Sequence, residues 1–335
     1  MRKVPSLVVL LGLAVAAFTS PIEQKRWSLV RDGNGNVHLD DTQYSNPIEP
    51  EKQFVAAEVT TFHLFTRANP TVGQEIVLDD AASLQASNFN SANPTRIIIH
   101  GWSQSRLSDV NTVLTNAWLT RGEFNVIVVD WEEGANTLLY RLARGRIVAV
   151  AGVISSFINF LVSAGGIAHN SIYIAGHNLG AHIAGSVGFF QFMRINTIYG
   201  LDASYELFDY TSSDRLNQWD AQYVESIHTN VGNNGFDLPL GQAAFYPNGI
   251  GPQPGCGIDL TGNCAHARAI FLLAESIISG GFTSIPCQNF NQVLEDTCVI
   301  DRPTRRMGGE PSNQGTGARG VYKMTTRASS PFSLD

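Results

Sequence analysis

Ser171-Ile172-Tyr173-Ile174-Ala175-Gly176-His177-Asn178-Leu179-Gly180-Ala181 runs from a short β-rich segment through a glycine-flanked turn into Ala181 to Phe190, an alanine-rich apolar stretch of helical length. That order predicts a strand, a tight turn and a helix. Gly176 and Gly180 bracket the turn as in a G-x-S-x-G nucleophile elbow, where glycine lets two backbones approach closely. Asn178 fills the place of the nucleophilic serine. In a chain with 31 glycines the same pentapeptide also reads as an ordinary βα turn, so its meaning depends on the rest of the sequence.

An elbow of this kind works with an acid and then a histidine later in the chain. Asp202 follows the apolar run Ile198-Tyr199-Gly200-Leu201, which predicts a place at the carboxyl end of the next strand, where open α/β sheets carry functional residues. His266 follows the pair Cys256 and Cys264 and precedes an apolar helix-like run, Ala267 to Ile278. It reads as a loop histidine held by a neighbouring disulfide and suited to a catalytic base. His228, at the end of the strand-like run Tyr223 to Ile227, is its rival, and chain order does not separate the two. Upstream, Arg96-Ile97-Ile98-Ile99-His100 is a buried-strand pattern running into Gly101-Trp102. The backbone N–H groups of Trp102 and Leu179 are the candidate oxyanion donors. His100 and His177 read as structural, fixing the loop and the elbow, and His182 as a packed helix residue, while His38, His63 and His169 lie in no motif.

After Glu58, β-rich runs alternate with helical ones: Val59 to Thr66, Arg96 to His100, Ser108 to Thr120, Asn125 to Asp130, Ile147 to Ala164, then the elbow. Such alternation argues for a mostly parallel sheet with helices on both faces. Within the segment opened by Ser108, Val110, Val113, Leu114, Ala117 and Trp118 form the stripe of an amphipathic helix. Residues 21–52 are polar, with Asp32-Gly33-Asn34-Gly35-Asn36 as a turn, and are expected to strap across the body as an N-terminal arm. Residues 53–335 read as one domain.

Taken together, Ile97-Ile98-Ile99-His100-Gly101-Trp102, Gly176 to His182, Gly200-Leu201-Asp202 and Cys264-Ala265-His266-Ala267-Arg268 resemble the animal neutral (pancreatic-type) lipase family. That family includes venom phospholipases, insect midgut lipase-like proteins and insect yolk proteins. Tyr223 to Asn230 and Ala244 to Gly249 also resemble its short insect members, and the likeness covers roughly residues 50 to 330. The resemblance implies an α/β-hydrolase fold, Asp202 as acid, His266 as base, and Trp102 and Leu179 as oxyanion donors. It favours His266 over His228. Ala203 stands where the family usually has proline, and Asn178 where it has serine. Pancreatic-type members carry a further β-sandwich domain, and with 37 residues after Cys298 none is expected here. Seven residues separate Cys256 from Cys264, where long-lidded members have a flap, so lid-driven activation is not expected.

Chemistry sets the consequence of Asn178. An amide has no nucleophilic lone pair at neutral pH, so His266 has no hydroxyl to deprotonate and no acyl-enzyme forms. Loss of a serine nucleophile costs on the order of a millionfold in turnover. Two rescues are open: deamidation of Asn178 to an aspartate nucleophile, or direct activation of water by His266. Leu179 makes ordinary deamidation slow beside the Asn-Gly sites at Asn34, Asn234 and Asn248. The expectation is a lipase-fold protein impaired in catalysis that keeps a cleft for a lipid or acyl-ester ligand. An active carboxylic ester hydrolase and a yolk-like nutritive or carrier protein are the alternatives.

Met1-Arg2-Lys3, the apolar run Val4 to Phe18 and small residues near Ala16 to Ser20 read as a secretory signal peptide over residues 1–20, too short to span a membrane. Ile147 to Ala168 is interrupted by serines, Asn159 and glycines and reads as a buried helix, so no transmembrane segment is expected. Four cysteines in a secreted chain suggest two disulfides, and local pairing favours Cys256 with Cys264 and Cys287 with Cys298 among three connectivities. Without a C-x-x-C pair or another ligand cluster, no metal and no cofactor are expected. Loss of Arg2 and Lys3 would leave 20 basic against 29 acidic residues, which argues against nucleic acid as a partner. Asn69-Pro70-Thr71 and Asn93-Pro94-Thr95 are blocked as N-glycosylation acceptors by proline. Oligomeric state has no signature in the sequence.

Overall fold

The computed structural model describes residues 27–32, 36–41 and 54–335. The signal-peptide segment, residues 1–20, lies outside them. Strands β1 (Trp27–Arg31) and β2 (Val37–Asp41) pair antiparallel, with residues 32–36 between them. This hairpin is tied to the body where the buried Asp40 accepts from the backbone N–H of Arg141 at 3.0 Å, and where the ring of His38 lies 4.8 Å from that of Trp102.

The remaining strands are β3 (Thr61–Phe65), β4 (Gln74–Glu75), β5 (Thr95–Ile99), β6 (Asn125–Asp130), β7 (Ile172–His177), β8 (Thr197–Leu201), β9 (Tyr223–Ile227), β10 (Ala243–Pro247), β11 (Thr283–Cys287), β12 (Arg305–Arg306) and β13 (Gly320–Met324). They form one sheet in the order β12-β11-β13-β10-β9-β8-β7-β5-β6-β3-β4. From β13 to β6 every neighbouring pair is parallel, and the two edges are antiparallel. Helices α1 (Ala56–Val59), α2 (Ala81–Gln85), α3 (Asp109–Arg121), α4 (Glu132–Ala135), α5 (Tyr140–Ser163), α6 (Leu179–Phe190), α7 (Asn263–Ser279) and α8 (Phe290–Leu294), with a 3-10 turn at His169–Ser171, complete the described elements.

Because side chains alternate along a strand, a run buried on both faces is apolar unless its polar groups are paired, and in β5 Ile97 to Ile99 are apolar while the buried Arg96 pairs with Glu310. Ile97 and Ile99 join Ile127, Val129, Ile174 and Ile198 in a core covered by α5 and α6. Ile98 joins Val126, Val128, Ala175 and Tyr199 in a second core covered by α3 and α7. This is the mostly parallel sheet with helices on both faces expected from the alternation of elements, and the α/β-hydrolase fold that the resemblance implies.

Two helices differ from their sequence outlines. α3 buries Val110, Leu114, Ala117 and Trp118 as its stripe requires, but also Asn111 and Thr115, so its contact face is wider than the apolar positions suggest. α5 starts at Tyr140, seven residues ahead of the apolar run, and takes in Arg141, Arg144 and Arg146. By length and composition it could cross a membrane, yet Ile147, Val150, Ile154, Phe157, Ile158 and Leu161 are buried in the core, as a buried helix demands. Disulfides join Cys256 to Cys264 and Cys287 to Cys298, the local pairing of the three possible.

Candidate active site

β7 ends at His177 and α6 begins at Leu179, so residue 178 alone makes the turn. Asn178 has φ 56° and ψ −122°, a conformation that side chains rarely tolerate and that surrounding contacts must impose. Its N–H donates to Leu201 O at 3.2 Å, and its carbonyl oxygen accepts from Ser204 N at 3.3 Å. A Cβ on Gly176 would stand 2.1 Å from Gly180 O, and one on Gly180 would stand 2.2 Å from Ile99 O. The elbow therefore rests directly on the backbone of β5.

Asp202 lies just past β8, and its N–H donates to Ile227 O at 2.8 Å. Its Oδ1 accepts from Thr229 N at 2.7 Å and Asn230 N at 2.9 Å, which leaves Oδ2 to face His266 Nδ1 at 2.5 Å. Both side chains are fully buried. His266 is not a loop residue: it sits in the first turn of α7, with its N–H donating to Gly262 O at 2.8 Å. The helix begins before the apolar run because Asp259, in the disulfide loop, accepts from Ala265 N at 2.8 Å and satisfies an open donor of the first turn.

His266 Nε2 is 3.1 Å from Asn178 Nδ2, and Trp102 N lies 3.2 Å from Asn178 Oδ1. A backbone N–H can only donate, so Oδ1 faces Trp102 and Nδ2 faces His266. With its proton on Nδ1 towards Asp202, His266 accepts through Nε2. The structure thus brings Asp202, His266, Asn178 and Trp102 into one hydrogen-bonded chain. Leu179 is buried at the first position of α6, where helical N–H groups lack intrahelical partners. Asn178 itself is 2% exposed.

The rival histidine is engaged elsewhere. His228 is held by Ser226 Oγ at 2.8 Å and Phe236 O at 3.3 Å and stacks on Tyr246, and burial lowers its pKa to about 4. His177 lies between Gln104 Oε1 and His266 O, each 3.3 Å away. Burial, then the adjacent His266, holds its pKa well below the usual value. His100 is fixed to Gly101 O at 3.0 Å and to Trp131 N at 3.1 Å. His182 bonds Ser204 O at 2.8 Å and accepts from Leu216 N at 3.0 Å.

Three contributors escaped the sequence reading. Thr229 and Asn230 orient Asp202 through backbone N–H groups, which leave no residue-type signal. Gln104 accepts from Gly101 N at 2.8 Å and so shapes the loop that aims Trp102 N, again without a motif. A polar cavity of about 360 Å³ borders this loop, lined among others by Asp32, His38, Ser103, Gln104 and Glu132, and its lining does not include Asn178.

The model of the lipase family matches residues 28–332. The chain is similar to lipase member H of Xenopus tropicalis, with 34% identity over 244 residues that cover 70% of this chain and 52% of that protein. It is similar to phospholipase A1 member A of Bos taurus at 32% identity, covering 71% of this chain and 53% of that one. Against pancreatic triacylglycerol lipase of Mus musculus the identity is 31%, covering 71% and 56%. The chain spans about half the length of these relatives.

Proposed function

The chain belongs to the lipase family, and from that premise we propose that it is a secreted member impaired in ester hydrolysis that retains a surface for lipid or acyl chains. One observation carries the impairment: the Asn178 amide stands in the nucleophile's place and engages both partners a nucleophile would use. Its oxygen takes the Trp102 N–H that would serve a tetrahedral oxyanion, and its N–H occupies the lone pair of His266 Nε2. No acyl-enzyme can form, and activation of water by His266 is slowed because the bond from Nδ2 to Nε2 must first open. Support for lipid contact comes from Ile258 and Leu260, 90% and 83% exposed on the disulfide loop that leads into His266. Secretion is supported by the N-terminal sequence and by two disulfides.

The test compares freshly prepared protein with its Asn178→Ser variant on a soluble short-chain ester and on a phospholipid. A silent parent and a variant faster by several orders of magnitude, up to about 10⁶, is the expected outcome. An active parent would refute the impairment. If both are silent, the proposal that Asp202, His266 and Trp102 form a working site is wrong. A lipid extract of the purified protein distinguishes a lipid binder, which carries lipid, from a yolk-like nutritive protein, which need not.

A further inference from the structure

We propose that Asn178 is a self-processing site, at which His266 and the oxyanion loop slowly hydrolyse the residue's own side-chain amide and convert it to aspartate. The proposal rests on the reading above, that Trp102, Asp202 and His266 keep a working arrangement without a serine. The side-chain amide lies as a bound substrate would. Its carbonyl oxygen is 3.2 Å from Trp102 N, a donor placed to hold a tetrahedral oxygen. Its nitrogen, the group that must leave, is 3.1 Å from His266 Nε2, the atom able to protonate it. Asp202 Oδ2, 2.5 Å from Nδ1, stabilises the imidazolium that forms on the way.

In the step itself, a water adds to Cγ and gives its proton to His266 Nε2 while Trp102 N–H holds the oxygen. The proton passes to Nδ2, the Cγ–Nδ2 bond breaks, and ammonia departs. One water is consumed and one ammonium released, with aspartate left at residue 178. The ground-state bond from Nδ2 to Nε2 must first yield to water, which keeps the conversion slow. One oxyanion donor contributes about 10²–10³ and acid–base transfer about 10²–10⁴, together about 10⁴–10⁷ over plain amide hydrolysis.

This route reverses the ranking set by sequence alone. Ordinary deamidation proceeds through the following backbone nitrogen, favours Asn34, Asn234 and Asn248 before glycine, and disfavours Asn178 before Leu179. The experiment is a timed incubation of the whole folded protein in ¹⁸O-labelled water at neutral pH, followed by digestion and mass spectrometry. The peptide containing residue 178 is expected to gain about three mass units, against about one in ordinary water, entirely as normal aspartate. The gain should vanish in His266→Gln. Should that variant not fold, the same wild-type protein held in urea provides the comparison, because conversion at residue 178 must stop there while the Asn-Gly sites continue. An unchanged Asn178, isoaspartate at that position, or an equal rate in urea would each overturn the proposal. None of these readouts measures ester turnover, so an unconverted Asn178 beside an active Asn178→Ser variant overturns this inference alone, whereas a silent Asn178→Ser variant overturns the reading on which it rests.

Discussion

At residue 178 the side-chain amide bonds both Trp102 N and His266 Nε2, the two groups that the proposed function needs for a hydrolytic site. The orientation of that amide follows from its neighbours: Trp102 offers only a donor, and His266, with Asp202 on its other nitrogen, offers only an acceptor. Asp202 in turn has its second oxygen filled by Thr229 N and Asn230 N, so it cannot turn away to serve His228. Asp202→Asn placed in the Asn178→Ser background should therefore lower kcat by about 10⁴ with little change in KM, because an amide there stabilises the wrong imidazole tautomer. Steady-state kinetics on the short-chain ester measures this. A loss below tenfold would mean that Asp202 does not orient His266 in the working site.

At the scale of elements, the unit that matters is β7, the turn and α6, pressed against β5. Gly180 has no room for a methyl group, since its Cβ would meet Ile99 O at 2.2 Å and His100 O at 2.7 Å. Both obstacles are backbone, at the end of β5 and just past it, and cannot yield as a flexible side chain would. Gly180→Ala should destabilise the fold by about 1–3 kcal/mol or more, read as a lower urea midpoint with an unchanged slope. An unaltered midpoint would show that α6 can slide outwards freely. This same unit was legible in the sequence, because β-rich run, glycine-flanked turn and apolar helix are local patterns. Asp202 after β8 and the strand before Trp102 were legible for the same reason. His266 was identified but assigned to a loop, since the bond from Ala265 N to Asp259 that starts α7 early depends on how the disulfide loop folds. The edge strands β11 to β13 were missed: β12 has two residues, β11 contains Pro286, and their pairing is set by distant partners. The clamps on Asp202 are backbone groups, which any residue type supplies.

Across the whole molecule, buried titrating groups pull stability in opposite directions with pH. Burial raises Asp220 and Glu225 to about 7 in the folded chain. Between their ordinary values near 4 and about 7, the folded state holds protons that the unfolded state has released, so these two groups make stability fall as pH rises. Burial lowers His182 and His228 to about 4, and His63 and His177 are lowered as well. Below about 6.5 the unfolded state binds protons that these folded histidines refuse, so they make stability rise with pH up to that point. Between pH ~5 and ~6 the four histidines outweigh the two carboxyls, and near pH ~7, where unfolded histidines are mostly neutral and the buried carboxyls half ionised, the two contributions about cancel. The urea midpoint should climb gently from pH ~5 and level off near pH ~7. In Glu225→Gln the climb between pH ~5 and ~6 should be steeper, because one opposing carboxyl is gone, even though the variant loses part of the cage formed by Tyr223 Oη, Gly308 N and Asn313 Nδ2. A climb of unchanged steepness in Glu225→Gln would mean that Glu225 is already ionised in the folded chain and that its hydrogen bonds outweigh its burial.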